Sequence, residues 1–149
     1  MKQCTWIRLA KEDIKVKKQA FNPYLPSWEY IPDGEPYVFG DRVYVYGSHD
    51  YFNGYVFCMG DYVCWSTPVD DLGNWRYEGV IYPKTADPLN PEGKMCLYAP
   101  DVTVGPDGRY YLYYVLDKVS VVSVAVCDTP AKTSMIAKDK KALFAINGS

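Results

Sequence analysis

Apolar positions along this chain come in short runs of β-forming residues separated by turn residues, a spacing that predicts strands. Tyr37 to Tyr46 reads as a hairpin turning near Gly40-Asp41. Strands are predicted at Gly54 to Met59 and Tyr62 to Trp65, followed by a turn at Asp70 to Trp75 and an outer strand from Trp75 to Ile81. Thr85 to Lys94, rich in proline, glycine and acidic residues, reads as a loop. A second set begins near Leu97, turns at Pro106-Asp107-Gly108, and runs through Tyr110 to Leu116 and Ser120 to Cys127.

The two sets repeat one another. Asp41-Arg42-Val43-Tyr44-Val45-Tyr46 overlays Gly108-Arg109-Tyr110-Tyr111-Leu112-Tyr113 at an offset of about 67 residues, and Cys64 to Pro68 corresponds to Val126 to Pro130 at about 62. Order is kept while spacing drifts with loop length. Self-similarity of this period in strand-forming sequence predicts an all-β array of about two sheet units of the β-propeller blade type. Residues 1–21 form a charged lead, 22–131 hold the two units, and 132–149 form a tail of different composition. In the tail the repeat stops inside its second copy, four lysines appear, and Ala137 to Phe144 reads as a short helix. The break is expected of either a truncated or frameshifted end or a natural cap.

Composition narrows the function classes. Of 149 residues, 48% are hydrophobic and 23% charged, which is globular rather than disordered. Net charge of −2 offers no basic field to a phosphate backbone, so nucleic acid is excluded as a partner. The charged N-terminus and the lack of a span-length apolar stretch predict neither a signal peptide nor a membrane span, and hence a cytoplasmic location. Cys4, Cys58, Cys64, Cys96 and Cys127 are odd in number and lack CxxC spacing, which fits reduced thiols; a cross-strand pairing of Cys58 with Cys64 is the minor alternative. The fifteen tyrosines suit half-buried pleated surface and also the walls of sugar sites, where a flat apolar ring carries a polar tip.

An acidic residue beside proline followed by a Gly-Asp turn and Val43-Tyr44-Val45-Tyr46, then Trp65-Ser66-Thr67 with Leu72-Gly73-Asn74-Trp75, then Tyr98-Ala99-Pro100-Asp101-Val102 and Gly108 to Tyr114, resembles glycoside hydrolase family 43 over roughly residues 22–131. The resemblance implies a five-bladed β-propeller, of which this would be about the first two blades. It implies inverting hydrolysis of arabinofuranosides, xylosides or related saccharides, with an oligosaccharide or polysaccharide as the partner. It also implies three carboxylates: a base opening the first blade, a pKa-tuning and orienting aspartate in the second, and a general acid glutamate in the third.

Asp101 matches the second role, with Tyr98 where the family often has tryptophan. For the base, aligning the repeats with a one-residue gap puts Glu35 over Asp101, and Asp33 stands two residues earlier as the alternative. Such a mechanism holds base and acid about 6.5–9.5 Å apart so that a water fits between base and anomeric carbon. No third-blade glutamate is in the sequence; Glu78 and Glu92 fall on the outer strand and exit loop, so this chain alone is expected to be inactive. Trp28 is a candidate for stacking on a sugar ring. His49 and Asp50, at the end of the first hairpin, are candidates for bonding a sugar hydroxyl, although a structural histidine is the plainer reading. Trp65 and Trp75 are expected in the core between blades. The chain offers no metal site of its own; the resemblance allows a calcium ion at the propeller axis, held from other blades. The alternative function is a noncatalytic carbohydrate-binding or propeller-assembly module, and open sheet edges invite self-association.

Overall fold

The computed structural model describes residues 23–119, 121–131, 136–137 and 144–145. Nearly all of the predicted lead, with Cys4, and most of the predicted tail lie outside the described residues. The fold is all-β in two sheets. The first has four antiparallel strands in chain order, β1 (Glu35–Phe39), β2 (Arg42–Tyr46), β3 (Tyr62–Pro68) and β4 (Arg76–Tyr82). The second is built on β5 (Leu97–Val104), β6 (Tyr110–Leu116) and β7 (Val121–Cys127), with two short strands, β8 (Ile136–Ala137) and β9 (Phe144–Ala145), added to β7. Four-stranded meanders in sequence order are the blade unit of a propeller.

The first hairpin turns where expected: Phe39 pairs with Arg42, and Gly40 takes the positive φ of 62° that so tight a turn calls for at its first central position. Two expectations are corrected. Gly54 to Met59 is loop, because its aromatic residues find no strand to pair with and Asp50 ties down the Cys58 amide instead. Ala137 and Phe144, the ends of the predicted helix, are strand residues paired to β7; the residues between lie outside those described.

The core lies between the sheets. Tyr44, Tyr46, Tyr62, Cys64 and Tyr82 on one face of the first sheet meet Leu97, Val102, Leu112, Tyr114 and Leu116 of the second. Tyrosine suits this interface because the ring is buried while the hydroxyl reaches a backbone acceptor across it. Tyr46 donates to the Pro130 carbonyl at 2.7 Å and Tyr62 to the Tyr98 carbonyl at 2.9 Å. Burial pushes both phenols above their ordinary range, keeping them neutral donors. A polar bolt crosses the same face: Tyr114 donates to the Asp87 carboxylate, and the Tyr82 hydroxyl lies 2.7 Å from that of Tyr114. Asp87, on the loop joining the sheets, is 3% exposed and also accepts from the Leu89 amide at 2.7 Å.

The other face of the first sheet packs against the lead-in segment that follows residue 22. Trp65 meets the Trp28 ring at 5.9 Å, and Trp75 meets Tyr24 at 4.9 Å. Trp65 is buried but lies outside the cluster shared by the two described sheets, because strand alternation turns it away from Cys64. Cys58 and Cys64 are not cross-strand neighbours: Cys64 pairs with Tyr46 and Gly79, and Cys58 lies on the loop. Cys58, Cys64, Cys96 and Cys127 are free thiols.

Candidate active site

Equivalent strands of the two sheets present one carboxylate each on the same rung. Glu35 of β1 pairs with Tyr46, and Asp101 of β5 pairs with Tyr113. Tyr46 and Tyr113 are repeat counterparts at an offset of about 67, so the ladder register puts Glu35 and Asp101 in the same place in successive units. Both are exposed. Tyr37, two residues after Glu35 and thus on the same face of β1, reaches across to the second sheet: its hydroxyl donates to Asp101 Oδ1. Partial burial, then the hydrogen bond to Asp101 and the charges of Asp101 and Glu35, push the Tyr37 phenol up to about 12. It is therefore a proton donor to Asp101 at all physiological pH.

The approach to Asp101 is irregular. The β5–β6 register breaks between Tyr98 and Asp101, and Ala99 adopts a φ of 37°. A non-glycine residue in the left-handed region costs about 1–3 kcal/mol and persists only where its surroundings hold it. They do so here from the first sheet. The Ala99 amide donates to Ser48 Oγ at 2.9 Å, and the Tyr98 carbonyl accepts from Tyr62. Ser48, fully buried just past β2, was not singled out by sequence reasoning. A serine between glycine and histidine carries no pattern, and its partner lies 51 residues away.

Asp33 also has positive φ, 55°, and is exposed at the turn before β1. It belongs to a different neighbourhood, beside Cys58 and Asp50. Burial raises the Cys58 thiol above its ordinary range; a Ser48 hydrogen bond opposes this, and the Asp50 and Asp33 charges add to it. A raised thiol is a neutral, unreactive one. Asp50 is engaged with the backbone, Oδ1 accepting from the Cys58 amide at 2.5 Å. The structure thus joins Tyr37 to Asp101 with the Glu35 charge acting on the same phenol, and places Asp33 by the Asp50–Cys58 pair instead.

His49 is a clamp. Its Nδ1 lies 3.0 Å from the Asp61 carbonyl and its Nε2 2.9 Å from Glu29 Oε1, while Glu29 Oε2 accepts from Trp65 Nε1 at 2.8 Å. Both partners of the ring are acceptors, so each contact is a hydrogen bond only where that ring nitrogen carries its N–H. Gly60 leaves it no slack, since a Cβ there would meet the ring at 2.5 Å. Trp28 is 66% exposed but stands on the flank away from the second sheet, as does an open recess of about 420 Å³ lined by Pro23 to Ser27, Glu29 and Ile31. Tyr98 packs on Phe57 at 5.5 Å, next to the Asp101 bulge. Glu78 is taken up by Ser66 and Arg76 on the outer strands, and Glu92 pairs with Lys94 in solvent. Among the described residues no cluster of histidine, cysteine and carboxylate side chains is arranged to hold a metal ion.

No family profile matches the chain. A xylosidase/arabinosidase of Thermoclostridium stercorarium is 82% identical over 116 residues, covering 78% of this chain and 24% of that protein. A xylosidase/arabinosidase of Bacteroides ovatus is 32% identical over 119 residues, covering 72% of this chain and 35% of the relative. Among solved structures, a GH43 β-xylosidase/α-arabinofuranosidase from a compost metagenome, bound to xylotriose, is 28% identical with a TM-score of 0.59 over 74% of this chain and 34% of its own. RS223 β-xylosidase is 26% identical with a TM-score of 0.61 over 74% of this chain and 36% of its own. This chain spans about a quarter to a third of the length of these relatives. An 82% identical xylosidase/arabinosidase, GH43 structural neighbours, and two meander sheets with carboxylates on matching rungs agree, and the chain belongs to glycoside hydrolase family 43.

Proposed function

We propose that this span supplies the base and the orienting aspartate of an inverting glycosidase acting on arabinofuranosides or xylosides. The observation that carries the reading is the bridge from β1 through Tyr37 to Asp101, which couples the openings of successive blades at one point. Asp101, exposed and held by a phenol that does not ionise, is suited to act as a fixed negative charge toward a neighbouring general acid. The base comes from the Asp33-Gly34-Glu35 turn into β1. A general acid from outside the two sheets completes the set, and the two sheets alone do not turn over substrate. The names and ligands of the relatives support pentose-containing substrates.

The test replaces the matching segment of the Thermoclostridium stercorarium relative with residues 22–131 and measures sugar release from aryl arabinofuranoside and aryl xyloside. The chimera is expected to be active, with an inverted product anomer by NMR. Asp101→Asn should lower the rate about 10²-fold or more, the scale of a positioned acid–base group. Of Asp33→Asn and Glu35→Gln, the variant that abolishes turnover and is rescued by azide identifies the base. An inactive, folded chimera overturns the reading. If the 149-residue chain then binds oligosaccharide, the noncatalytic binding module replaces it.

A further inference from the structure

Among the described residues, four large aromatic rings on one short loop face solvent. Tyr51, Phe52, Tyr55 and Phe57 are 51%, 76%, 89% and 60% exposed, whereas the sheet tyrosines Tyr44, Tyr46, Tyr62 and Tyr82 are 8% or less. Exposed aromatic surface of this density marks a contact site. The backbone beneath it is not loose. The Cys58 amide is held by Asp50, the Gly54 amide bonds the Tyr51 carbonyl at 2.9 Å, the Gly60 amide bonds the His49 carbonyl at 2.8 Å, and the Asp50 amide bonds the Tyr30 carbonyl at 3.0 Å. Gly54 is packed so closely that a Cβ would meet the Tyr51 and Val56 carbonyls at 3.1 and 3.2 Å. The loop is therefore a braced display of rings, which lowers the ordering cost of binding.

Its chemistry specifies the occupant. From Tyr51 to Gly60 there is no charged side chain, so the surface suits a neutral ligand. Rings that combine a flat apolar face with phenol hydroxyls match a pyranose or furanose, which presents C–H groups on a face and hydroxyls at its edge. Its position specifies the rest. Phe57 packs on Tyr98, and Tyr98 directly precedes the Ala99 bulge that delivers Asp101, so the loop is continuous with the carboxylates. Phe52 leans on Tyr30 at 6.3 Å at the other end, and Tyr55 stands out between them.

We propose that the 51–57 loop is a stacking platform for a neutral pentose oligosaccharide, holding sugar units beyond the one at the carboxylates. This deepens the glycosidase reading and rests on it for the orientation of the chain, so the site selects for substrate length. The test uses the 149-residue chain and needs no turnover. Xylotetraose, arabinotetraose and free xylose are titrated to about 10 mM and followed by aromatic NMR shifts, with Tyr55→Ala, Phe57→Ala and Asp101→Asn in parallel; the first two replace exposed rings, and circular dichroism checks their fold.

At least one tetraose is expected to bind more tightly than xylose and to shift ring signals of the loop. Binding should weaken roughly tenfold in each ring variant and persist in Asp101→Asn. Binding unchanged in both ring variants but lost in Asp101→Asn overturns the platform and leaves the glycosidase reading intact. No tetraose binding overturns the platform as well. Concentration-dependent self-association that disappears in the same two variants assigns the rings to a protein interface and also overturns it. An inactive chimera combined with loop-dependent tetraose binding removes the glycosidase reading alone.

Discussion

The two sheets share a hairpin, a rung and a carboxylate, yet they hold that carboxylate differently. Glu35 sits at the start of a strand whose pairing with β2 is regular throughout, whereas Asp101 follows a register break and a left-handed alanine. The first sheet needs no help to place its acidic residue. The second is placed by the first, through Ser48, Tyr62 and Tyr37. A repeated unit thus becomes an asymmetric pair because its neighbour deforms it, so that copies of one sheet hold their carboxylates in different surroundings.

The largest effect should come from removing the face through which one sheet acts on the other. Tyr46→Ala empties a fully buried ring site and deletes the bond to Pro130, and should cost about 3–5 kcal/mol in denaturant unfolding. Ser48→Ala tests the asymmetry itself. The Ala99 amide loses its hydrogen bond to the buried Ser48 hydroxyl, at about 0.5–1.5 kcal/mol, and its hydrogen exchange should accelerate while β1–β2 amides stay protected. Equal acceleration in both hairpins would show that the serine does not act on the second sheet specifically.

Ala99→Gly should do the reverse, relieving the left-handed strain by up to about 1 kcal/mol and raising the melting temperature, provided the bulge survives. Tyr37 gives the smallest effect and a pH signature. Its phenol is raised in the folded chain, so its contribution is fully present below about 10 and is lost as pH rises toward about 12. Tyr37→Phe should flatten that part of the stability profile and leave the profile near neutrality with the same shape.

Much of this arrangement is legible in sequence. The strands and hairpins follow from β-forming runs and turn residues, and the offset of about 67 residues already pairs the two hairpins. Asp101 stands out by its setting in Tyr98-Ala99-Pro100-Asp101. What stays hidden is whatever depends on a partner far along the chain. Ser48 and His49 are adjacent, yet one reaches Ala99 and the other Glu29, and no local pattern distinguishes their tasks. The stretch from Gly54 to Met59 misleads for the opposite reason. Tyr55-Val56-Phe57 has strong strand propensity, but propensity records a fit to a pleated surface, and this segment has no strand beside it. Its aromatics belong to an outward-facing loop.

The Asp87–Tyr114–Tyr82 bolt bears on alignment as much as on cohesion. Two sheets lined with tyrosine, leucine and valine have many nearly equivalent ways to lie on one another, because apolar contact is indifferent to small sliding displacements. A carboxylate hidden from water tolerates one arrangement only, that in which the phenols reach it. The spacing between Glu35 at the start of β1 and Asp101 within β5 is thereby indexed from inside the protein, as a vernier is set by a pin remote from its scale.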